Sequence, residues 1–187
     1  MLGINMKDVS AAGGNRPGPG GYVVRIMRVT NQPDKQRIEL EIDIDEGKYN
    51  GYYTDLYNRK GFWGATFLKS YKESAFPFFK AFIETIQKCN DDTTGLVVGD
   101  WEDIDETKLL GKKFGIVFGH KEYVGNDGKT KERPDWYGAD IVTLDKIRSG
   151  EYEVPDLIKL EGSAPAAGGV VDTTASFEPL RDDDVPF

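Results

Sequence analysis

The 187 residues, 39% hydrophobic and 12% aromatic, are enough for one well-cored domain with some sequence to spare. A single cysteine, Cys89, excludes an internal disulfide and a cysteine zinc cluster. No long apolar run and no basic-then-apolar leader is present, so a soluble, cytoplasmic protein without membrane contact is expected. The net charge of −8 is unevenly spread: residues 1–150 hold 22 Lys/Arg against 23 Asp/Glu, and residues 151–187 hold 2 against 9, which leaves room for a basic groove on a near-neutral body.

In chain order, "SAAGGNRPGPGG" (residues 10–21) has no face to bury and predicts a flexible arm over 1–20, with order beginning near Tyr22. "GYVVRIMRV" is β-branched and reads as a first strand, followed by turn chemistry in "NQPDK". In "RIELEIDID", Ile38, Leu40, Ile42 and Ile44 alternate with Arg37, Glu39, Glu41 and Asp43, which predicts a half-buried second strand with the charged set outward. "YYTDLYN" (52–58) reads as a third strand, with Tyr52, Thr54 and Leu56 on one face and Tyr53, Asp55 and Tyr57 on the other. From Phe76 the period changes: Phe79, Phe82, Ile83 and Ile86 mark one amphipathic helix, ended by Asn90 and "DDTTG". An acidic connection, "GDWEDIDETK", leads to "KKFGIVFGHKEYV", "GNDG" and "KTKERPDWYGADIVTL", read together as one long hairpin.

The predicted fold class is therefore mainly β: a five-stranded OB-fold-like barrel over residues 21–161, with one α-helix between strands 3 and 4. Other small barrels and α+β sheets share that order, and order alone assigns no function. Residues 162–187, small, polar and punctuated by Gly and Pro, predict a disordered acidic tail.

Aromatic and basic residues gather in two places. The first holds Tyr53, Tyr57, Phe62, Trp63 and Tyr71 among Arg59, Lys60, Lys69 and Lys72. The second holds Tyr123, Trp136 and Tyr137 among Lys121, Lys129, Lys131 and Arg133. Flat rings stack on unpaired bases and cations displace phosphate counterions, so this combination points to single-stranded DNA, although any one of these rings could instead be core. Glu39, Glu41 and Asp43 oppose a phosphate track over the second strand, so the track is expected on the third strand, its loop and the final hairpin.

The competing classes are an adaptor that binds only proteins and a Mg²⁺-dependent nuclease built on Asp43, Asp45 and Glu46 or on Asp100 to Glu106. No nuclease spacing accompanies those carboxylates. His120 has no evident nucleophile partner and "GNDGK" lacks the phosphate-loop pattern, so no enzyme, catalytic residue, metal or cofactor is expected.

The closing "RDDDVPF" resembles the acidic tips of single-stranded DNA-binding proteins of bacteria and their phages, which end in Asp-rich sequence, an apolar residue, Pro and Phe. "DIDEGKYNGYY" and "GFWGATFLKSYKESAFPFFKAFIETI" are similar to a family of replication or recombination proteins from phages and prophages of Gram-positive bacteria, a likeness covering roughly Gly21 to Leu160. The resemblance implies a phage protein with an OB-related core that acts in the bacterial host cytoplasm. It would protect single-stranded DNA without sequence preference during replication or recombination. Asp182, Asp183, Asp184, Val185, Pro186 and Phe187 would recruit replication or recombination proteins, and a homo-oligomer is left open. The body departs from the ordinary bacterial barrel, so only these tail residues carry over.

Overall fold

The computed structural model describes residues 16–160. Residues 1–15 of the expected arm and the whole expected tail, 162–187, lie outside the described residues.

The elements run β1 (Gly20–Gln32), β2 (Arg37–Ile44), α1 (Tyr52–Lys60), β3 (Thr66–Ser70), α2 (Phe76–Cys89), β4 (Val97–Val98), β5 (Asp103–Ile104), β6 (Lys113–Phe118), β7 (His120–Val124), β8 (Thr130–Pro134), β9 (Asp140–Val142) and α3 (Leu144–Ser149). The described chain is mainly β. Five antiparallel strands in the order β3-β2-β1-β6-β9 form one sheet that curls into a half-barrel.

The curl starts in β1. Its first part, Gly20–Arg25, pairs with β6, and its register against β2 shifts between Ile26 and Arg28. That irregularity leaves Met27 partly exposed and bends the strand, so one strand serves two sides of the curve. The concave face is apolar because the period-two residues of β2 point there. Ile38, Leu40 and Ile42 are buried, together with Val24 and Ile26 from β1 and Phe114 and Ile116 from β6.

Helix α2 closes the open side of this face with Phe82, Ile83 and Ile86, each fully buried and each stabilising the fold by about 1.5–3 kcal/mol. The rings of Phe67, Phe82 and Phe114 meet edge to face at 5.8–6.4 Å. The two outer strands, β3 and β9, are not hydrogen-bonded to each other. Lys69 of β3 lies over the Phe67 and Phe82 rings, and burial lowers its pKa from the ordinary lysine value while the Asp140 carboxylate on β9 opposes that shift.

Three expectations are corrected. "YYTDLYN" is helix α1, and the third strand is β3, which begins eight residues after Asn58. The expected long hairpin is three pieces: β6 stays in the main sheet, β7 and β8 form a separate two-stranded sheet, and β9 returns to pair with β6. The break falls at Gly119, where an added Cβ would sit 2.7 Å from the carbonyl oxygen of Pro155, because the chain after α3 crosses there. Finally, the acidic connection supplies the turn and second strand of a short β4–β5 hairpin that starts at Val97, and α3, which was not expected, packs on β6 and β1.

Candidate nucleic-acid interface

Helix α1 exists because of a residue ten positions upstream. Its N-terminal residue Gly51 (φ +74) has no side chain to cap the first turn, and the Asp43 carboxylate does so instead. Oδ1 accepts the Tyr53 N–H at 2.8 Å, Oδ2 accepts the Thr54 N–H at 3.0 Å, and Oδ1 also accepts the Ile44 N–H at 2.8 Å. Asp43 is only 4% exposed, so it is a buried cap and not part of an outward acidic face. At the other end Gly61 (φ +75) donates to the Tyr57 carbonyl at 2.8 Å and stops the helix in the left-handed conformation that glycine tolerates.

This geometry sorts the first cluster. Tyr53 is buried, burial raises its phenol pKa, and its ring is core. Tyr57, Arg59 and Lys60 are exposed on α1, and Phe62 follows at 56% exposure. Trp63 is half-buried: its indole N–H donates to the Ile42 carbonyl at 3.0 Å, and its ring lies 5.8 Å from that of Tyr57. Lys69 faces inward at the open seam. Tyr71 is at the far end of β3, tied by its hydroxyl to Asn31 at 2.8 Å and by its N–H to the Gln36 carbonyl. Lys72 is exposed beside it, so Lys69, Tyr71 and Lys72 stand apart from the α1 group.

The second cluster is the β7–β8 hairpin and the turn that follows. Lys121 pairs at 2.6 Å with Asp135, which is buried and also accepts the Gly138 N–H. Lys131 pairs with Asp127 at 3.1 Å, and the Arg133 guanidinium covers the Tyr123 ring at 5.3 Å. His120 Nδ1 is 3.2 Å from Glu132, and its ring lies parallel to Phe118.

Trp136 is a packing residue, 4.6 Å from the Phe118 ring and 5.8 Å from the Tyr53 ring. It joins the base of the hairpin to α1. Tyr57 and Phe62 are the open rings of α1 and the loop after it, whereas Tyr123 on the hairpin is half-buried under Arg133. Arg59, Lys60, Lys129 and Arg133 make no ion pair among the described residues.

The carboxylates of β2 and of Asp45 and Glu46 just after it are engaged. Arg28 makes a two-toothed pair with Glu41 at 2.6–2.8 Å, and Gln32 donates to Glu39 at 3.1 Å. Asp45 is clamped by Arg25 at 2.6 Å and Lys113 at 2.5 Å. Its burial would raise the carboxyl pKa, but the two cations outweigh that and hold it below the ordinary value. Glu46 pairs with Arg148 at 2.6 Å, which lowers its pKa likewise. Among the described residues no group of three or more His, Cys, Asp or Glu is placed to hold a metal ion, and no helix is long and apolar enough to cross a membrane.

Two positioning residues escaped the sequence reading. Asp43 was hidden inside a strand alternation that fitted it as an outward residue. Ile158 lies on a segment that runs parallel to β7, exchanging hydrogen bonds with His120 and Glu122, while the Leu160 N–H donates to the Glu122 carboxylate at 3.1 Å. The described chain therefore leaves off beside the hairpin. Comparison of the chain with protein-family models and with curated protein sequences finds no match to either.

Proposed function

We propose that this chain binds single-stranded DNA without sequence preference, through the side formed by α1, the Phe62 loop and the β7–β8 hairpin. The observation that supports this most is that Trp136 joins α1, which carries the exposed Tyr57 ring with Arg59 and Lys60, to the hairpin, which carries Lys129 and Arg133. Tyr57 and Phe62 would stack on bases, and Arg59, Lys60, Lys129 and Arg133 would follow the phosphates.

The strand order supports an OB-related fold. The order β3-β2-β1-β6-β9 with α2 between β3 and β6 is that of a five-stranded OB barrel left open between its third and fifth strands. In such barrels oligonucleotides contact the loop between the fourth and fifth strands, and the β7–β8 hairpin stands in that connection.

Within the same proposal, Asp182–Phe187 dock partner proteins of replication or recombination. The Phe187 ring would fill a pocket, and Asp182, Asp183 and Asp184 would face a basic rim. An unstructured connection from Leu160 to Asp182 would span about 25–30 Å, enough to bring those aspartates back over the hairpin beside which Leu160 sits.

Titrating the full chain with oligo-dT, followed by intrinsic tryptophan fluorescence, tests the reading. Affinity for oligo-dT should exceed that for duplex of the same length and fall with salt at about −0.7 log units per phosphate contact. Equal affinity for duplex and single strand would overturn the single-strand reading, and no binding to either would leave the adaptor reading in its place. Deleting 182–187 should raise oligo-dT affinity at low salt and abolish partner recruitment. An unchanged affinity at low salt would remove the tail from the DNA side of the proposal.

A further inference from the structure

A second concave surface lies at the other end of the sheet, in a groove of about 860 Å³. It is formed where the β1–β2 turn, the end of β3, the first turn of α2 and the β4–β5 hairpin meet. Asn31, at its rim, is eleven residues along β1 from Gly20, which pairs beside the base of the β7–β8 hairpin; that is about 35 Å of strand contour. None of the groove's lining residues belongs to the side proposed for DNA.

Its walls are aromatic. Tyr71, Phe79 and Trp101 are half-buried, and Phe76 is 55% exposed at the open edge. Trp101 is the informative residue. It occupies a left-handed backbone position (φ +64) in the β4–β5 turn, which L residues avoid and which glycine or asparagine would take with less strain. A tryptophan held there places a large ring on the groove wall at the expense of the turn, as residues kept for binding do.

The charges then select the occupant. Glu102, Asp103 and Glu106 stand along one wall, while the only cation of the lining, Lys80, sits 4.5 Å over the Trp101 ring. A polyanion meets three carboxylates here, so neither a DNA strand nor the acidic Asp182–Asp184 segment suits it. An apolar segment bearing lysine or arginine does.

We propose that this groove docks a cationic amphipathic peptide segment of a partner protein. Its apolar side chains lie against Tyr71, Phe76, Phe79 and Trp101, and its Lys or Arg residues pair with Glu102, Asp103 and Glu106. The proposal is independent of the DNA reading, since it uses other residues and an opposite charge.

The test is ¹⁵N-¹H NMR titration of the full chain with three synthetic peptides of equal length. The first is an amphipathic Leu/Lys peptide, the second its Leu→Ser counterpart of equal charge, and the third a Leu/Glu peptide. The Leu/Lys peptide should shift the Trp101 indole and the backbone resonances of the groove, and bind at least tenfold tighter than either control. A variant carrying Glu102→Gln, Asp103→Asn and Glu106→Gln, which keeps the hydrogen-bonding groups, should lose at least tenfold in affinity. Trp101→Gly, which relieves the left-handed backbone but removes a ring packed against the core and so is checked for folding by urea unfolding, should lose as much. The proposal is overturned if the Leu→Ser peptide binds equally, if the shifts fall outside the groove, or if both variants bind like the parent. It is also overturned if oligo-dT alone, without peptide, shifts the groove resonances, which would make the groove a nucleic-acid surface.

Discussion

Replacing Asp43 should damage the fold and the proposed DNA side together. The Asp43 carboxylate accepts three backbone N–H groups, and those of Ile44 and Tyr53 lie in buried surroundings where water cannot take over. A hydrogen bond to a charged acceptor contributes about 1.5–3 kcal/mol net, and a helix cap about 1 kcal/mol, so Asp43→Ala, which removes all three at once and lets the loosened turn rehydrate in part, should cost about 3 kcal/mol. Asp43→Asn keeps one acceptor oxygen but turns an amide N–H₂ toward a donor, and should cost about half as much. Urea unfolding followed by tryptophan fluorescence measures both, with far-ultraviolet circular dichroism reporting the loss of α1. Oligo-dT affinity should fall in the same order, because Tyr57, Arg59 and Lys60 are carried on α1. An Asp43→Ala variant within 1 kcal/mol of the parent, with its helical signal intact, would refute the cap as the cause of α1.

Tyr57→Ala and Phe62→Ala remove exposed rings, so each should weaken oligo-dT binding by about 1–3 kcal/mol while the urea midpoint stays put; normal binding by both would move the contact surface elsewhere. Lys60→Gln and Arg133→Gln should each reduce the slope of log affinity against log salt by about 0.7, and an unchanged slope would mean that neither meets a phosphate. Asp45 has a carboxyl pKa held below its ordinary value in the fold, so the unfolded chain binds the extra proton first as pH falls. Its stabilising contribution is therefore complete above the ordinary carboxyl range and is lost as pH drops through the lowered folded value. Asp45→Asn should flatten that acid limb in urea titrations between neutral pH and pH 3, and an acid limb identical to the parent's would contradict the clamp by Arg25 and Lys113.

The elements that could be read from the sequence are those whose side chains obey one period only. Ile38, Leu40 and Ile42 fit alternation and nothing else, and Phe79, Phe82, Ile83 and Ile86 fit a helix and nothing else. The stretch from Tyr52 to Tyr57 satisfies both periods, since Tyr53, Leu56 and Tyr57 also make a helical stripe. The β propensity of tyrosine then misdirects the reading, and the deciding group, Asp43, lies outside the window. The split of the last hairpin was illegible for a similar reason: Gly119 breaks it because of Pro155, a contact between segments distant in sequence. Among the candidate site residues, exposure followed type poorly. Tyr53, Trp63 and Trp136 are held by packing, whereas Tyr57 and Phe62, from the same aromatic runs, are open. No periodic rule separates them, since their fates are set by a capped helix and a hairpin base meeting across the sheet.

The place of β1 in the sheet also governs the order in which the protein can assemble. Strand β1 is central, between β2 and β6, and its pairing with β2 joins residues close in sequence, whereas Gly20 meets Phe118 only after nearly a hundred intervening residues have been made. Loop-closure entropy favours the β1–β2–β3 meander as the early structure and defers the β6 contact. Until then β1 offers an unpaired edge that includes the buried residues Val23 and Val24, the kind of edge at which nascent chains join one another. Docking of β6 converts that edge into the interior of the sheet, so the yield of soluble protein depends on how quickly the second half of the chain follows the first.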